Sequence, residues 1–192
     1  VAFVLVVSSG LLLRSFVSMI ETKPGFEPDG ALTALVELPA ARYDESASAD
    51  FFRRARERVR ALPGVEEAAF SSDLPWTNYD ENLGFSIVGR PLPDDQRPQS
   101  RYHFITPGYT GAIGTPLLAG RNLAPSDTRD SPRVVLLNEA AARKYWRTAE
   151  AAVGARLKVW GEEQTVAGVI GDVRDMPWHD RSVPALRAHR RG

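Results

Sequence analysis

The sequence predicts an α+β fold tethered by the end of a membrane helix. Three observations carry this. Strand-like and helix-like segments mix along the chain without the strict alternation of a doubly wound sheet. The composition is that of a globular domain, 43% apolar and 25% charged. The first thirteen residues, VAFVLVVSSGLLL, are apolar on nearly every face of a helix, interrupted only by Ser8, Ser9 and Gly10.

The elements follow in order. Residues 1–13 make about 20 Å of helix at 1.5 Å per residue, short of the ~20 residues a span requires. No charged leader region or small-residue cleavage site accompanies them, so a signal peptide does not fit. Residues 1–20 therefore read as the C-terminal part of a transmembrane helix that begins upstream. The competing reading, a buried core helix, expects an apolar stripe rather than an apolar circumference. Residues 24–30 (PGFEPDG) form a turn-rich linker. Residues 31–38 (ALTALVEL) alternate as a strand ended by Pro39. Asp44 caps a helix over residues 45–62, with Phe52, Ala55, Val59 and Leu62 on one face and Arg53, Arg54, Glu57, Arg58 and Arg60 on the other. Pro63 and Gly64 stop it, and residues 65–71 form a second strand.

A polar, aromatic loop over residues 73–82 contains Pro75, Trp76 and Tyr79. Strands are expected at 83–88 and 100–105, separated by an exposed loop at 91–99. Thr106 and Pro107 open a short helix to about residue 113. Residues 117–123 read as irregular, and 133–137 as an apolar strand. Asn138 caps a helix over 139–146 that buries Ala142, Tyr145 and Trp146. Strands at 153–160 and 165–173 flank a turn at 161–163.

The composition also excludes functions. A chain of 192 residues buries one good core or two small ones. Basic and acidic residues balance at 24 each, so no field gathers nucleic acid or anionic lipid. The absence of cysteine removes disulfides, thiolate metal sites and cysteine nucleophiles.

No catalytic constellation emerges. There is no phosphate-binding P-loop. Gly168 and Gly171 lack the third glycine of a dinucleotide fingerprint and read as a close backbone approach or bulge. His103, His179 and His189 stand apart without partners at metal-ligand spacing, and His103 reads as half-buried or surface-facing. Ser71, Ser72 and Asp73 read as a strand end and turn, because no nucleophile elbow surrounds them. Asp94–Asp95 and Glu162–Glu163 read as solvated turn charges. Asp172 and Asp175 flank Arg174 and suit surface ion pairs. The arginine cluster at 53, 54, 56, 58 and 60 reads as a solvated helix face, and Trp76 and Tyr79 are the better contact candidates. Catalytic, cofactor-binding and metal-binding residues are therefore none, and an interaction or coupling role is favoured over an enzyme.

The order of short motifs resembles one family. GLLLRSF (10–16) leads to KPGFEPDGALTALVELPAARY (23–43), then FFRRARERVRALPGVEEAAFSSDLP (51–75) and FSIVGRP (85–91). ITPGYTGAIGTPLLAGRNL (105–123), VVLLNEAAARKYW (134–146), AVGARLKV (152–159) and VAGVIGDVRD (166–175) follow. In this order they resemble the MacB-type periplasmic core domain of ABC transporter permeases with FtsX-like membrane regions. The resemblance covers residues 10–176. It implies a two-lobed α+β domain, a porter-like lobe with an inserted second lobe, over residues 21–176. It implies a place between the first two membrane helices, at the inner membrane and facing the periplasm. The implied partners are the rest of the permease membrane domain, a cytoplasmic ABC ATPase and a periplasmic adaptor; no nucleic acid, cofactor or catalytic residue is implied. The expected role is to couple ATP-driven helix motion to export or periplasmic events, with residues 24–30 as the hinge. Residues 177–192 (PWHDRSVPALRAHRRG) depart from the family pattern and read as an atypical basic tail. A free-standing periplasmic binding protein, or a non-functional piece of a permease gene, is the alternative.

Overall fold

The computed structural model describes residues 2–21, 24–39, 41–75, 82–91, 93, 97–128, 131–173 and 185–189. Helix α1 (Ala2–Glu21) is followed by α2 (Glu45–Arg60), β1 (Asn82–Ile87), β2 (Gln99–Ile105), α3 (Tyr109–Ala112) and β3 (Leu117–Gly120). Then come β4 (Val134–Asn138), α4 (Glu139–Trp146), α5 (Ala149–Ala152), β5 (Arg156–Val159), β6 (Glu162–Ile170) and β7 (Ala185–His189). The α+β expectation holds.

The seven strands form one sheet in the order β3-β6-β4-β7-β2-β1-β5, and β5 also pairs with β6. That last pairing closes six strands into a ring running β6, β4, β7, β2, β1, β5 and back to β6. Strand β6 can serve both ends because it is nine residues long. One edge runs along β4. The other pairs with β5 through residues 162–165 and with β3 through residues 168–170. Pairings β2–β7 and β4–β6 are parallel and the rest antiparallel. Closure removes the exposed backbone edges that an open sheet must otherwise protect.

Alternation along the strands produces two cores. Phe85, Ile87, Tyr102, Val135, Leu137, Leu157, Val159, Val166 and Val169 pack with Ala141, Ala142 and Trp146 of α4 and Ala152 of α5. The opposite side of β2, β4 and β6 supplies Ile105, Leu136 and Ile170, which pack with Tyr109 and Leu123. Local chemistry sets the helix starts. Asp44 accepts from Ala47 N at 2.8 Å, Asn138 from Ala141 N at 3.1 Å and Thr148 from Ala151 N at 3.2 Å.

Helix α2 lies beside the ring rather than in it. Phe52 meets Phe70 edge-on at 4.8 Å, and Arg56 donates to the Pro107 carbonyl at 2.8 Å. Residues 70–72 run antiparallel along the end of β2, through Ser72 N to Phe104 O at 2.8 Å and Thr106 N to Phe70 O at 2.9 Å.

Several expectations change. Residues 31–38 join no ladder among the described residues, and Leu32 is 98% exposed. Alternation alone does not make a strand; it needs a partner edge. Residues 65–71 contribute one bridge, Ser71 to Ile105, rather than a strand. Residues 117–120, read as irregular, form β3 against β6. Helix α3 starts after Gly108, because the Thr106 hydroxyl is engaged elsewhere, accepting from Phe70 N at 2.8 Å. Residues 185–189, assigned to a basic tail, form a strand inside the sheet, between β2 and β4.

Candidate functional site

Helix α1 carries the apolar start of the chain, and every described side chain over residues 3–17 is exposed. Phe3 is 80% exposed and Leu12 71%. An apolar surface uncovered by the rest of a chain marks a place where something else covers it. Among the described residues no helix is long and apolar enough to cross a membrane.

Four residues after α1, at Gly25, the chain docks onto the sheet. Gly25 has φ +83°, the left-handed region open to glycine. A Cβ at this position would run into the backbone carbonyl oxygen of Asp172. The Gly25 carbonyl accepts from the Thr115 hydroxyl at 3.1 Å, and Glu27 N donates to Ile113 O at 2.8 Å. A Cβ on Gly114, at φ +68°, would stand 2.7 Å from that of Glu27. Residues 25–27 are therefore tied to the turn before β3. The expected hinge over residues 24–30 is held at its first half; Gly30, at φ +79° with open space around it, lies in the half that is not.

Asp172 carries this junction onward. Its Oδ1 accepts from Ala140 N at 2.8 Å, one of the unpaired amides of the first turn of α4. Its Oδ2 accepts from Arg143 at 3.1 Å, and Arg143 also reaches Glu139 at 3.1 Å. Gly171 N donates to Pro116 O at 2.9 Å. Asp172 thus joins an ion pair with Arg143 to a cap on the first turn of α4, while Arg174 and Asp175, its expected neighbours in pairing, lie outside the described residues. The negative carboxylate also suits the positive end of α4.

His103 corrects the reading from sequence. It is buried on β2, with its Nδ1 2.8 Å from Asp73 Oδ1, and the side chains are 5% and 9% exposed. Ser72 Oγ donates to the same carboxylate at 2.8 Å and accepts from Phe104 N at 3.1 Å. Asp73 thus fixes one imidazole nitrogen and fastens the 71–73 turn to β2. His103 Nε2 and Ser71 Oγ are buried without hydrogen-bond partners among the described residues. They do not bond to each other, so this trio lacks the nucleophile–base link of covalent catalysis.

The remaining candidates are placed as follows. Trp76, Tyr79, Asp94, Asp95 and His179 lie outside the described residues; His189 is in β7. Glu162 pairs with Arg133, and Glu163 with Arg156 at 3.1 Å, so neither is a free turn charge. Gly168 sits where a Cβ would strike the Arg121 carbonyl oxygen, beside the register shift between β4 and β6. The arginine face of α2 is partly neutralised: Arg53 and Arg54 meet Asp50 at 2.9 and 3.2 Å, and Arg60 meets Glu67 at 3.4 Å. The Arg53 hydrogen bond holds the Asp50 carboxyl below the ordinary carboxylate range. Arg121 is raised by its paired hydrogen bonds to Asp127, at 2.7 and 2.8 Å. Among the described residues no group of three or more His, Cys, Asp or Glu is placed to hold a metal.

The family model for the MacB-like periplasmic core domain matches residues 1–184. Among solved structures, the chain is similar to the periplasmic region of MacB from Actinobacillus actinomycetemcomitans, with 18% identity and a TM-score of 0.48 over 71% of this chain and 54% of that one. It is also similar to the extracellular domain of the ABC-type transporter YknZ from Gram-positive bacteria, with 13% identity and a TM-score of 0.47 over 72% and 62%. The chain thus spans less than two thirds of either structure. No curated protein matches the chain.

Proposed function

The chain belongs to the MacB-like periplasmic core domain family, and from that premise we propose that it is the extracytoplasmic part of an ABC transporter permease, anchored by α1 and passing helix motion outward. One observation carries the reading: a helix that is apolar on nearly every face over residues 2–13 leads, four residues past its end, to a strap pinned on a closed sheet. Lipid is the natural cover for such a helix, since packing against a protein needs only a stripe. A body held by a short strap moves with its anchor, in the way packed elements transmit hinge and shear motion. The partners are the rest of the permease membrane domain, a cytoplasmic ABC ATPase that supplies the energy and a periplasmic adaptor that receives the movement. The domain itself does no covalent chemistry.

The test uses the complete permease. A cysteine at Lys158, exposed on β5, should react with a membrane-impermeant maleimide in intact spheroplasts. Labelling only after lysis would place the domain on the wrong side of the membrane and end the proposal. Transport should also stop, with ATP hydrolysis continuing, when α1 is uncoupled from the sheet.

A further inference from the structure

The junction at Gly25 has features that an ordinary linker does not need. A linker tolerates most residues; here the chain adopts a left-handed turn and brings its α-carbon against the Asp172 carbonyl, where no side chain fits. Two hydrogen bonds flank the contact, Thr115 Oγ1 to Gly25 O at 3.1 Å and Glu27 N to Ile113 O at 2.8 Å. Behind Asp172, its carboxylate grips the first turn of α4 through Ala140 N and Arg143.

We infer that Gly25 is a positioning residue for coupling: a pin that locks the end of α1 to the β6–α4 corner of the sheet, so that force leaves the membrane helix at this point. The inference rests on the coupling reading above. It places the compliant part of the linker after Glu27, around Gly30, rather than across the whole of residues 24–30. The comparison between the two glycines decides it. Gly25 and Gly30 share a left-handed backbone, at φ +83° and +79°, but a Cβ on Gly30 meets nothing within 4 Å. Backbone strain is therefore common to both, and steric contact belongs to Gly25 alone.

The experiment compares Gly25→Val with Gly30→Val in the full chain held in detergent micelles, by amide hydrogen exchange. Gly25→Val should speed exchange of the Glu27 amide by about tenfold or more, as a local opening. Gly30→Val should leave that amide within about twofold of the parent. Thr115→Val, which keeps the backbone intact, should give a smaller acceleration and guards against a Gly25 variant that fails to fold. Equal effects from both glycines, or no effect from Gly25→Val and Thr115→Val, overturn the pin. Both changes are then placed in the complete permease. An opened Glu27 amide with undiminished transport would leave the pin standing and overturn the coupling role.

Discussion

Tyr102 on β2 and Gln164 on β6 belong to strands three places apart around the six-strand ring, yet their side chains meet at 3.2 Å, hydroxyl to amide. Both residues are buried, so the contact crosses the interior of the ring rather than running along a ladder. It is the polar tie between the two halves of an otherwise apolar core.

Removing one partner of that tie should cost more than removing both. Tyr102→Phe leaves the buried Gln164 amide unsatisfied and should destabilise the fold by about 1–3 kcal/mol. Replacing both, Tyr102→Phe with Gln164→Leu, should recover most of the loss. Denaturant unfolding of the two variants checks it, and an additive double mutant would show that the bond is energetically idle.

Strand β7 pairs with β2 on one side and β4 on the other, with Ala188 opposite both Phe104 and Val135. Proline at Ala188 removes an amide from the interior of the sheet and should cost about 3 kcal/mol or more, with a dye for exposed apolar surface binding more strongly. A variant with the parent unfolding midpoint would mean the ring does not depend on this strand.

At Gly168 a methyl group would strike the Arg121 carbonyl oxygen and approach the Ala119 carbonyl at 2.9 Å. Gly168→Ala should therefore lower stability by roughly 1–3 kcal/mol, the cost of forcing the backbone of β3 away from β6. Gly89→Ala, a glycine with nothing within 4 Å, supplies a control that carries only the strain of its φ of +82°.

Asp50 gives a pH prediction whose sign follows from its depressed ionisation, caused first by the Arg53 hydrogen bond. A carboxyl held down in the folded state stabilises above its unfolded value, and that stabilisation disappears as pH falls through the folded value. The Asp50 carboxyl carbon should titrate below 3.8, the ordinary aspartate value, in an NMR titration and move back towards it in Arg53→Ala. The accompanying change in stability should be small, because the pair is exposed.

Features set by near neighbours were legible in the sequence. Asp44 and Asn138 cap their helices because an acceptor side chain needs only the next turn of backbone. The close approach at Gly168 was legible because a glycine inside a strand pattern has few other uses. Features set by distant neighbours were not. Asp73 reaches His103 across thirty residues, and neither histidine spacing nor alternation along β2 foretells burial on both faces of that strand. Residues 31–38 carry a sound strand pattern with no partner edge among the described residues, while residues 117–120 carry a weak one and find β6. The pin at Gly25 was read as a flexible hinge because proline and glycine signal a turn, and turn chemistry does not reveal what the turn rests upon.

The last of the described strands, β7, occupies the middle of the sheet, parallel to β2, which lies more than eighty residues earlier. Until it arrives, β2 and β4 each present an open backbone edge, so the ring cannot seal before residues 185–189 have been delivered. Such long-range closure is slow and leaves a sticky precursor. Those two edges are therefore the places where the unfinished domain is most open to pairing with a foreign strand.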